Sequence, residues 1–279
     1  MKVTYLGTGA AEGIPALFCN CEYCKSVKKR GGKEVRSRAQ VIVDGELSID
    51  FPPDAFYHGG VLGADLSAVK YLIVTHSHMD HFYAHDFILR GYKYARGMGS
   101  PSLDIYGNEE TGEIFSECTK RELRDCVAEN IRFHVLRAFE KVEFGGYCVY
   151  PLRARHSSKD PFVFLIEKDG KRILHLTDTG ILPEEDFAFL AELGGNPLDL
   201  VTFDCTFLWN DAEESTRHMG LSGNLRVLEQ LQEIGLADRH TRKVITHFSH
   251  NSAPSKKSTK RAERLYGVIA AYDGMSLEL

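Results

Sequence analysis

The chain has 279 residues, with 34 Lys and Arg against 39 Asp and Glu, for a formal charge of −5. That mild acidity excludes a surface built to coat a polyanion, and 43% hydrophobic with 26% charged residues excludes disordered, collagen-like and coiled-coil chains. No apolar run approaches the ~18 residues of a membrane helix, and residues 1–9 hold no signal-peptide apolar stretch, so a cytoplasmic protein without a membrane partner is expected.

Taken in chain order, a strand over 2–6 leads into Gly7, Thr8 and Gly9. Cys19, Cys21 and Cys24 then crowd together; neighbours so close are poorly placed to pair, and in a reducing compartment such a cluster implies metal or redox chemistry. The scattered Cys118, Cys126, Cys148 and Cys205 are expected to be small buried hydrophobes. Basic runs over 25–38 and 256–264 are expected to be solvated faces, and neither interleaves aromatics as a single-strand binder would. Strands are predicted at 39–43, 47–49, 71–74, 103–106, 147–154, 162–167, 172–176, 200–203, 243–245 and 275–279. Amphipathic helices are predicted over 82–96, on Phe87, Ile88, Gly91, Tyr92 and Ala95, and over 221–234, on Leu221, Leu225, Leu228 and Leu231 with a stop at Gly235. No repeat or long linker interrupts the pattern, so a single domain over 1–279 is expected, of α/β class, with two sheets packed together and helices outside.

The chemistry lies in a recurring position, a metal-binding side chain directly after a strand. Asp50, His76, His156, Asp178, Asp204 and His247 all occur there, and His76 opens the run His76, Ser77, His78, Met79, Asp80, His81. Strand ends on one edge can converge on a point, where rigid elements hold the ligands. Imidazole and carboxylate suit Zn²⁺, Mn²⁺ or Fe. One ion could not use His76, His78, Asp80, His81, His156, Asp178 and His247 together, whereas two could with a bridging carboxylate. His134 and His175, standing apart, read as ordinary hydrogen-bonded histidines.

The run from His76 to His81 matches the HxHxDH motif, and with the later His, Asp and His positions the chain resembles the metallo-β-lactamase superfamily along its whole length. The resemblance implies an αββα four-layer sandwich with a dinuclear site. His76, His78 and His156 would hold one divalent ion, Asp80, His81 and His247 the other, and Asp178 would bridge, with Asp50 orienting the motif loop. Asp204, Cys205, Thr206 and Phe207, followed by Arg217, His218, Met219 and Gly220, resemble the phosphodiesterase branch shared with RNase Z, in which a His at this place assists at the phosphate. The Cys cluster, the spacing from His247 to His250 and the ending from Tyr272 to Leu279 resemble the phosphoribosyl cyclic phosphodiesterase group. That likeness implies a structural Zn²⁺ on Cys19, Cys21, Cys24 and His250, a closed set with no position for water.

The expected activity is hydrolysis of a small, cyclic phosphodiester such as phosphoribosyl 1,2-cyclic phosphate by a metal-bridging hydroxide, a dinuclear site lowering the pKa of bound water towards ~7. Asp80 and Asp178 would orient the hydroxide. His218 would either donate a proton to the leaving oxygen or stabilise phosphoryl charge, beside the N-terminus of the helix opening near Leu221. The catalytic ions stay open between Mn²⁺, Zn²⁺ and Fe. RNase Z-like tRNA 3′-processing ranks lower, because 156 to 178 is too short for the inserted arm of that family and Glu184, Glu185 and Asp186 are acidic, so nucleic acid is not the expected partner. Lactamase or thioesterase chemistry gives Asp204 and His218 no role, and diiron relatives usually replace a His of the first motif. A relative of quinone-cofactor biosynthesis without phosphodiesterase activity would show a degraded ligand set, and here every position is filled. A homodimer is compatible with the sequence and not required by it.

Overall fold

Strands apolar on both faces need cover on both sides, and that requirement sets the architecture. The computed structural model describes residues 1–210 and 217–279. One sheet runs in the order β14 (Met275–Glu278), β1 (Lys2–Gly7), β2 (Gln40–Val43), β3 (Leu47–Ile49), β4 (Tyr71–Ile73), β5 (Leu103–Gly107) and β6 (Ile131–Val135). It is antiparallel from β14 to β3 and parallel from β3 to β6. The other runs β13 (Ile269–Ala270), β12 (Arg242–Thr246), β11 (Leu200–Asp204), β10 (Lys171–Leu176), β9 (Phe162–Lys168), β8 (Tyr147–Arg153) and β7 (Val142–Phe144). It is parallel from β13 to β10 and antiparallel from β10 to β7.

The helices are α1 (Glu22–Arg30), α2 (Ala55–Gly60), α3 (Glu109–Thr119), α4 (Asp125–Ala128), α5 (Glu184–Leu193), α6 (Leu221–Glu233) and α7 (Lys256–Tyr266). Three apolar layers result. Tyr5, Val43, Ile73, Val149, Phe164 and Ile173 fill the space between the sheets. Leu174, Val201 and Phe203 pack outward against Leu190 of α5, Val227 and Leu231 of α6 and Ala262 of α7. Leu72 and Ile105 pack outward against Phe87 and Val127, under the segment after β4 and α4. The result is the four-layer αββα sandwich. Among the described residues no helix is long and apolar enough to cross a membrane.

The strand ends matter most for the site. β8 and β10 share a direction because each is antiparallel to β9, so their C-terminal ends lie on the edge that β11 and β12 also reach. At that edge Asp178 and His247 adopt φ of 57° and 59°, and Asp50, after β3, adopts 63°. Left-handed backbone is uncommon for residues other than glycine, with Asp and His among the more tolerant. Here it turns the chain sharply where a ligand must project.

Three expectations fail. The helix predicted over 82–96 is only a 3₁₀ segment, Ala84–Leu89. Positive φ at Gly91 and Tyr92 (119° and 52°) ends the helical path, and Tyr92 faces solvent instead of the core. Of the four scattered cysteines, Cys205 is buried, Cys118 and Cys148 are half-buried and Cys126 is exposed, because the single turn of α4 turns Val127 inward and leaves Cys126 outside. β6, β7 and β13, with α1, α2, α3, α4, α5 and α7, were not predicted. Gly145 and Gly146, both at positive φ, turn β7 into β8, and a Gly-Gly pair between apolar runs is a readable hairpin signal. The run 256–264 does become solvent-facing, on α7, whereas the run 25–38 does so only in part: Lys25, Lys28, Lys29 and Arg30 of α1 and Lys33 face outward, but Arg36 is buried and donates to Thr8 Oγ1 and Ala271 O.

Asp186, in the first turn of α5, is fully buried, with Oδ1 accepting the Arg153 N–H at 3.2 Å. Burial pushes its pKa up from 3.8 to about 7, against the pull of that N–H and of Arg153 and Arg155. The folded chain therefore binds this proton more tightly than the unfolded one. Its contribution to stability is complete below pH ~4, declines as pH rises towards ~7 and is lost above. Asp186→Asn is expected to remove that slope, gaining on the order of 2 to 4 kcal/mol relative to wild type at pH 8 over pH 4. Denaturant unfolding at a series of pH values measures it, and parallel curves for the two proteins would refute it.

Candidate metal centre

Asp178 stands at the middle of the site. It is buried, and its Oδ2 lies 3.3 Å from His76 Nε2, 3.2 Å from His81 Nε2 and 3.8 Å from His247 Nε2. Three donor groups share it, two built on the motif histidines and a third made of Asp178, Asp204, His218 and His247. In the first, His76, His78, His156 and Asp178 bring one donor atom each to within 4.8 Å of one another. Asp80, His81, Asp178 and His247 do the same in the second. Within the first, His76 Nε2 and His78 Nδ1 are 3.0 Å apart, and His78 Nδ1 and His156 Nε2 are 3.1 Å apart. A tetrahedral ion at 2.0–2.1 Å from its nitrogens sets donors ~3.3 Å apart, so these edges fit one ion. His81 Nε2 and His247 Nε2 are buried without a hydrogen-bond partner, a cost that a cation would remove. The residues present fit two divalent ions, with Asp178 common to both sets.

The electrostatics of His76, His156 and Asp178 agree with that fit, whereas the buried His81 imidazole is held well above its ordinary value, burial being outweighed by Asp80, Asp50 and Asp178. Burial pulls the His156 imidazole down to about 4, helped by His76 and His218 and opposed by Asp178. Burial likewise lowers His76. Asp178 stays ionised far below the usual carboxylate range: burial opposes ionisation, but His247, His218, His76 and His81 outweigh it. Neutral imidazoles and an ionised carboxylate are the ligand forms a divalent ion requires.

Around these donors the supporting contacts are dense. Asp50 Oδ1 accepts the Thr75 N–H at 2.8 Å, and Oδ2 faces His81 Nδ1 at 2.7 Å, so Asp50 aims His81 and fixes the start of the motif loop. Asp204 Oδ1 accepts the Met219 N–H at 2.9 Å, and Oδ2 lies 3.2 Å from His247 Nδ1 and 3.4 Å from His218 Nδ1. His218 Nδ1 is also 2.9 Å from Asp178 Oδ1. Burial works against the His218 imidazolium, yet Asp178 and Asp204 prevail and push it up to about 10. The N-terminus of α6 lies directly beyond, though its Leu221 N–H donates to Leu208 O. Thr206, which sequence reasoning gave no role, places its hydroxyl 2.9 Å from His247 Nδ1 and 3.1 Å from Asp204 Oδ2. The signal was its place two residues after a strand-end Asp.

Cys19, Cys21, Cys24 and His250 form a separate group, again with donors within 4.8 Å. Cys21 caps α1 by accepting from the Cys24 N–H, and His250 Nδ1 lies 3.4 Å from Cys24 Sγ and 3.8 Å from Cys21 Sγ. The Cys24 N–H, and then His250, draw the Cys21 thiol down to about 6, whereas burial pushes Cys24 up to about 11. Three sulfurs and an imidazole, with no fifth donor grouped with them among the described residues, match a closed zinc set. Glu12 joins this group to the other: its Oε1 accepts from Ser249 Oγ at 2.6 Å and lies 3.9 Å from His250 Nε2. His134 and His175 are occupied elsewhere, His134 Nε2 by Asp104 at 2.8 Å and His175 Nε2 by Thr177 Oγ1 at 2.8 Å.

Similarity to known proteins follows the same lines. A diphosphatase of the PhnP family has a similar structure, with 23% identity, a TM-score of 0.74, and coverage of 100% of this chain and 97% of that one. Zn²⁺-bound PqqB from Methylobacterium extorquens gives 18% identity and a TM-score of 0.73, each chain covered in full. Human tRNase Z, short form, gives 18% and 0.67, covering 100% of this chain and 99% of that one. An octanoyltransferase of Porphyromonas gingivalis (strain ATCC BAA-308 / W83) is 31% identical over 83 residues, which are 29% of this chain and only 16% of that protein. The model of the β-lactamase superfamily domain matches residues 48–248, from the start of the strand before Asp50 to just past His247. The chain thus belongs to the metallo-β-lactamase superfamily.

Proposed function

We propose that the protein is a dinuclear phosphodiesterase acting on a small, cyclic phosphodiester such as phosphoribosyl 1,2-cyclic phosphate. The observation that carries this reading is the Asp204–His218 pair set against Asp178, at 3.4 and 2.9 Å from His218 Nδ1. When bound, two divalent ions supply a water acidic enough to ionise near neutral pH and neutralise charge on the phosphoryl oxygens. The chain supplies the rest. Asp178 and Asp80 orient the nucleophilic water between the two ligand groups. Asp204 and Asp178 both face Nδ1 of His218, so the proton passed to the departing oxygen comes from Nε2. Cleavage of one P–O bond of a cyclic diester leaves a monoester attached at the other oxygen, so product and substrate share one pocket. The likeness to a diphosphatase of the PhnP family supports phosphorus–oxygen chemistry.

His218→Ala is expected to lower turnover of bis(p-nitrophenyl) phosphate by ~10²- to 10³-fold with metal content unchanged. Unchanged turnover in this variant, while Asp80→Ala abolishes it, would sink the proposal. The choice of Zn²⁺, Mn²⁺ or Fe is read by metal analysis of the purified protein, and the diester by a panel of cyclic and linear substrates.

The tRNA-processing reading has less support. Between His156 and Asp178 the chain forms only β9, a turn at Asp169 and Gly170, and β10, with no arm, and α5 presents Glu184 and Glu185. The filled ligand positions likewise favour a hydrolase over a relative without phosphodiesterase activity.

A further inference from the structure

Behind Asp50, away from the ligand donors, a file of buried polar side chains crosses the first sheet. Ser37 Oγ lies 2.6 Å from Asp273 Oδ2 and 2.7 Å from His58 Nε2. His58 Nδ1 lies 2.6 Å from Gln40 Oε1. Gln40 Nε2 donates to Ser48 Oγ at 3.1 Å and to the Asp50 carbonyl at 3.3 Å, and Ser48 Oγ donates to the same carbonyl at 2.8 Å. His58 and Gln40 are 0% and 1% exposed, so water does not complete these contacts. Packing is tight here as well: a Cβ on Gly7 would fall 3.1 Å from His58 Cε1 and 1.8 Å from Arg38 O.

Counting hydrogens constrains the file. Reversing the Gln40 amide would place its oxygen 3.3 Å from the Asp50 carbonyl oxygen and remove a donor from it. With Gln40 as oriented, its Oε1 requires a hydrogen on His58 Nδ1. Ser37 has one hydroxyl hydrogen for two short contacts, so the other is filled either by the Asp273 carboxyl or by His58 Nε2–H. In both cases Asp273, Ser37 and His58 hold one proton more than a carboxylate and a neutral imidazole would. The neighbouring charges are Arg36, which donates to Thr8 Oγ1 and Ala271 O beside Asp273, and Asp54, near His58 but paired with Arg38 at 2.8 Å. Burial pulls His58 down to about 4 and pushes Asp273 up, which favours the proton on the acid.

We propose that Asp273, Ser37, His58 and Gln40 are positioning residues for Asp50. One proton shared between Asp273, Ser37 and His58 keeps His58 Nδ1 protonated, fixes the Gln40 amide with its NH₂ towards the Asp50 carbonyl, and thereby holds the Asp50 carboxylate against Thr75 and His81. The inference rests on the reading of His81 as a metal ligand, not on the identity of the substrate.

Two measurements test it. In the ¹⁵N-histidine-labelled full chain, long-range ¹H–¹⁵N correlation at pH 7 is expected to show His58 with a hydrogen on Nδ1. An unprotonated Nδ1, with the hydrogen on Nε2 alone, overturns the proposal, and this result needs no variant. Gln40→Glu keeps the side chain's size and removes the amide donor. It is expected to weaken binding of Zn²⁺ at the site of His81 by ~10- to 100-fold in competition with a chromophoric chelator, and Gln40→Met to do the same. Wild-type affinity in both variants refutes it. Absence of phosphodiester turnover in the unmodified protein would sink the proposed function and leave both measurements standing.

Discussion

Asp178→Ala is expected to lose both catalytic ions and to lower phosphodiester turnover by at least ~10⁴-fold, equivalent to ~5.5 kcal/mol of transition-state stabilisation. The reason is the position of one carboxylate. Its Oδ2 faces His76 at 3.3 Å and His81 at 3.2 Å, and its Oδ1 faces His156 at 3.2 Å and His218 at 2.9 Å. Removing it deletes the member common to both ligand groups and leaves buried imidazoles facing one another without the anion that tolerates two dications. Asp178→Asn keeps the shape and loses the charge, so it is expected to fall close to the alanine variant. Metal analysis together with steady-state kinetics measures the effect, and two ions per centre with near wild-type turnover would contradict the assignment. His218→Ala should differ in kind, losing rate while keeping its ions.

Replacing Cys24 by Ser is expected to cost one Zn²⁺ per chain and several kcal/mol of unfolding free energy, since a structural zinc contributes binding energy directly to folding. Cys24 is the buried thiol of the cluster, and its His250 partner begins the turn that leads to α7. From there strain reaches the catalytic edge by a short route. Ala10 N–H donates to Phe248 O, Phe248 N–H to Thr8 O, and Ser249 Oγ to Glu12, all within two residues of His247. The catalytic ion of His247 is therefore expected to bind more weakly in Cys24→Ser, by a smaller factor than in Asp178→Ala. Zinc analysis and a denaturant titration decide it: full zinc content or an unchanged midpoint would show that the cluster is only a group of thiols beside a histidine.

The sequence by itself determined which side chains are the candidates for the chemistry. Seven ligand positions lie directly after apolar β runs or within one dense motif, and a short apolar run followed by His or Asp is visible without coordinates. The strands bearing these residues were legible for the same reason, since their burial on both faces demands continuous Val, Ile, Leu and Phe. Helices were less legible. α1 and α7 are so basic that only Cys24 and Val27 in the one, and Thr259 and Ala262 in the other, mark a buried side, and the stretch 82–96 has helical spacing but carries Gly91 and Tyr92 in left-handed backbone. What only the tertiary structure decided is which donors meet. Asp178 is brought to both groups because β8, β10, β11 and β12 end on one edge opposite the motif loop of the other sheet. His250 meets Cys24 across 226 positions, and His58 stands behind Asp50 through Gln40, a path with no trace in linear spacing. Local sequence encodes the type of donor and the strand that carries it, whereas convergence depends on contacts between residues far apart in the chain, which form only when both sheets close on their shared core.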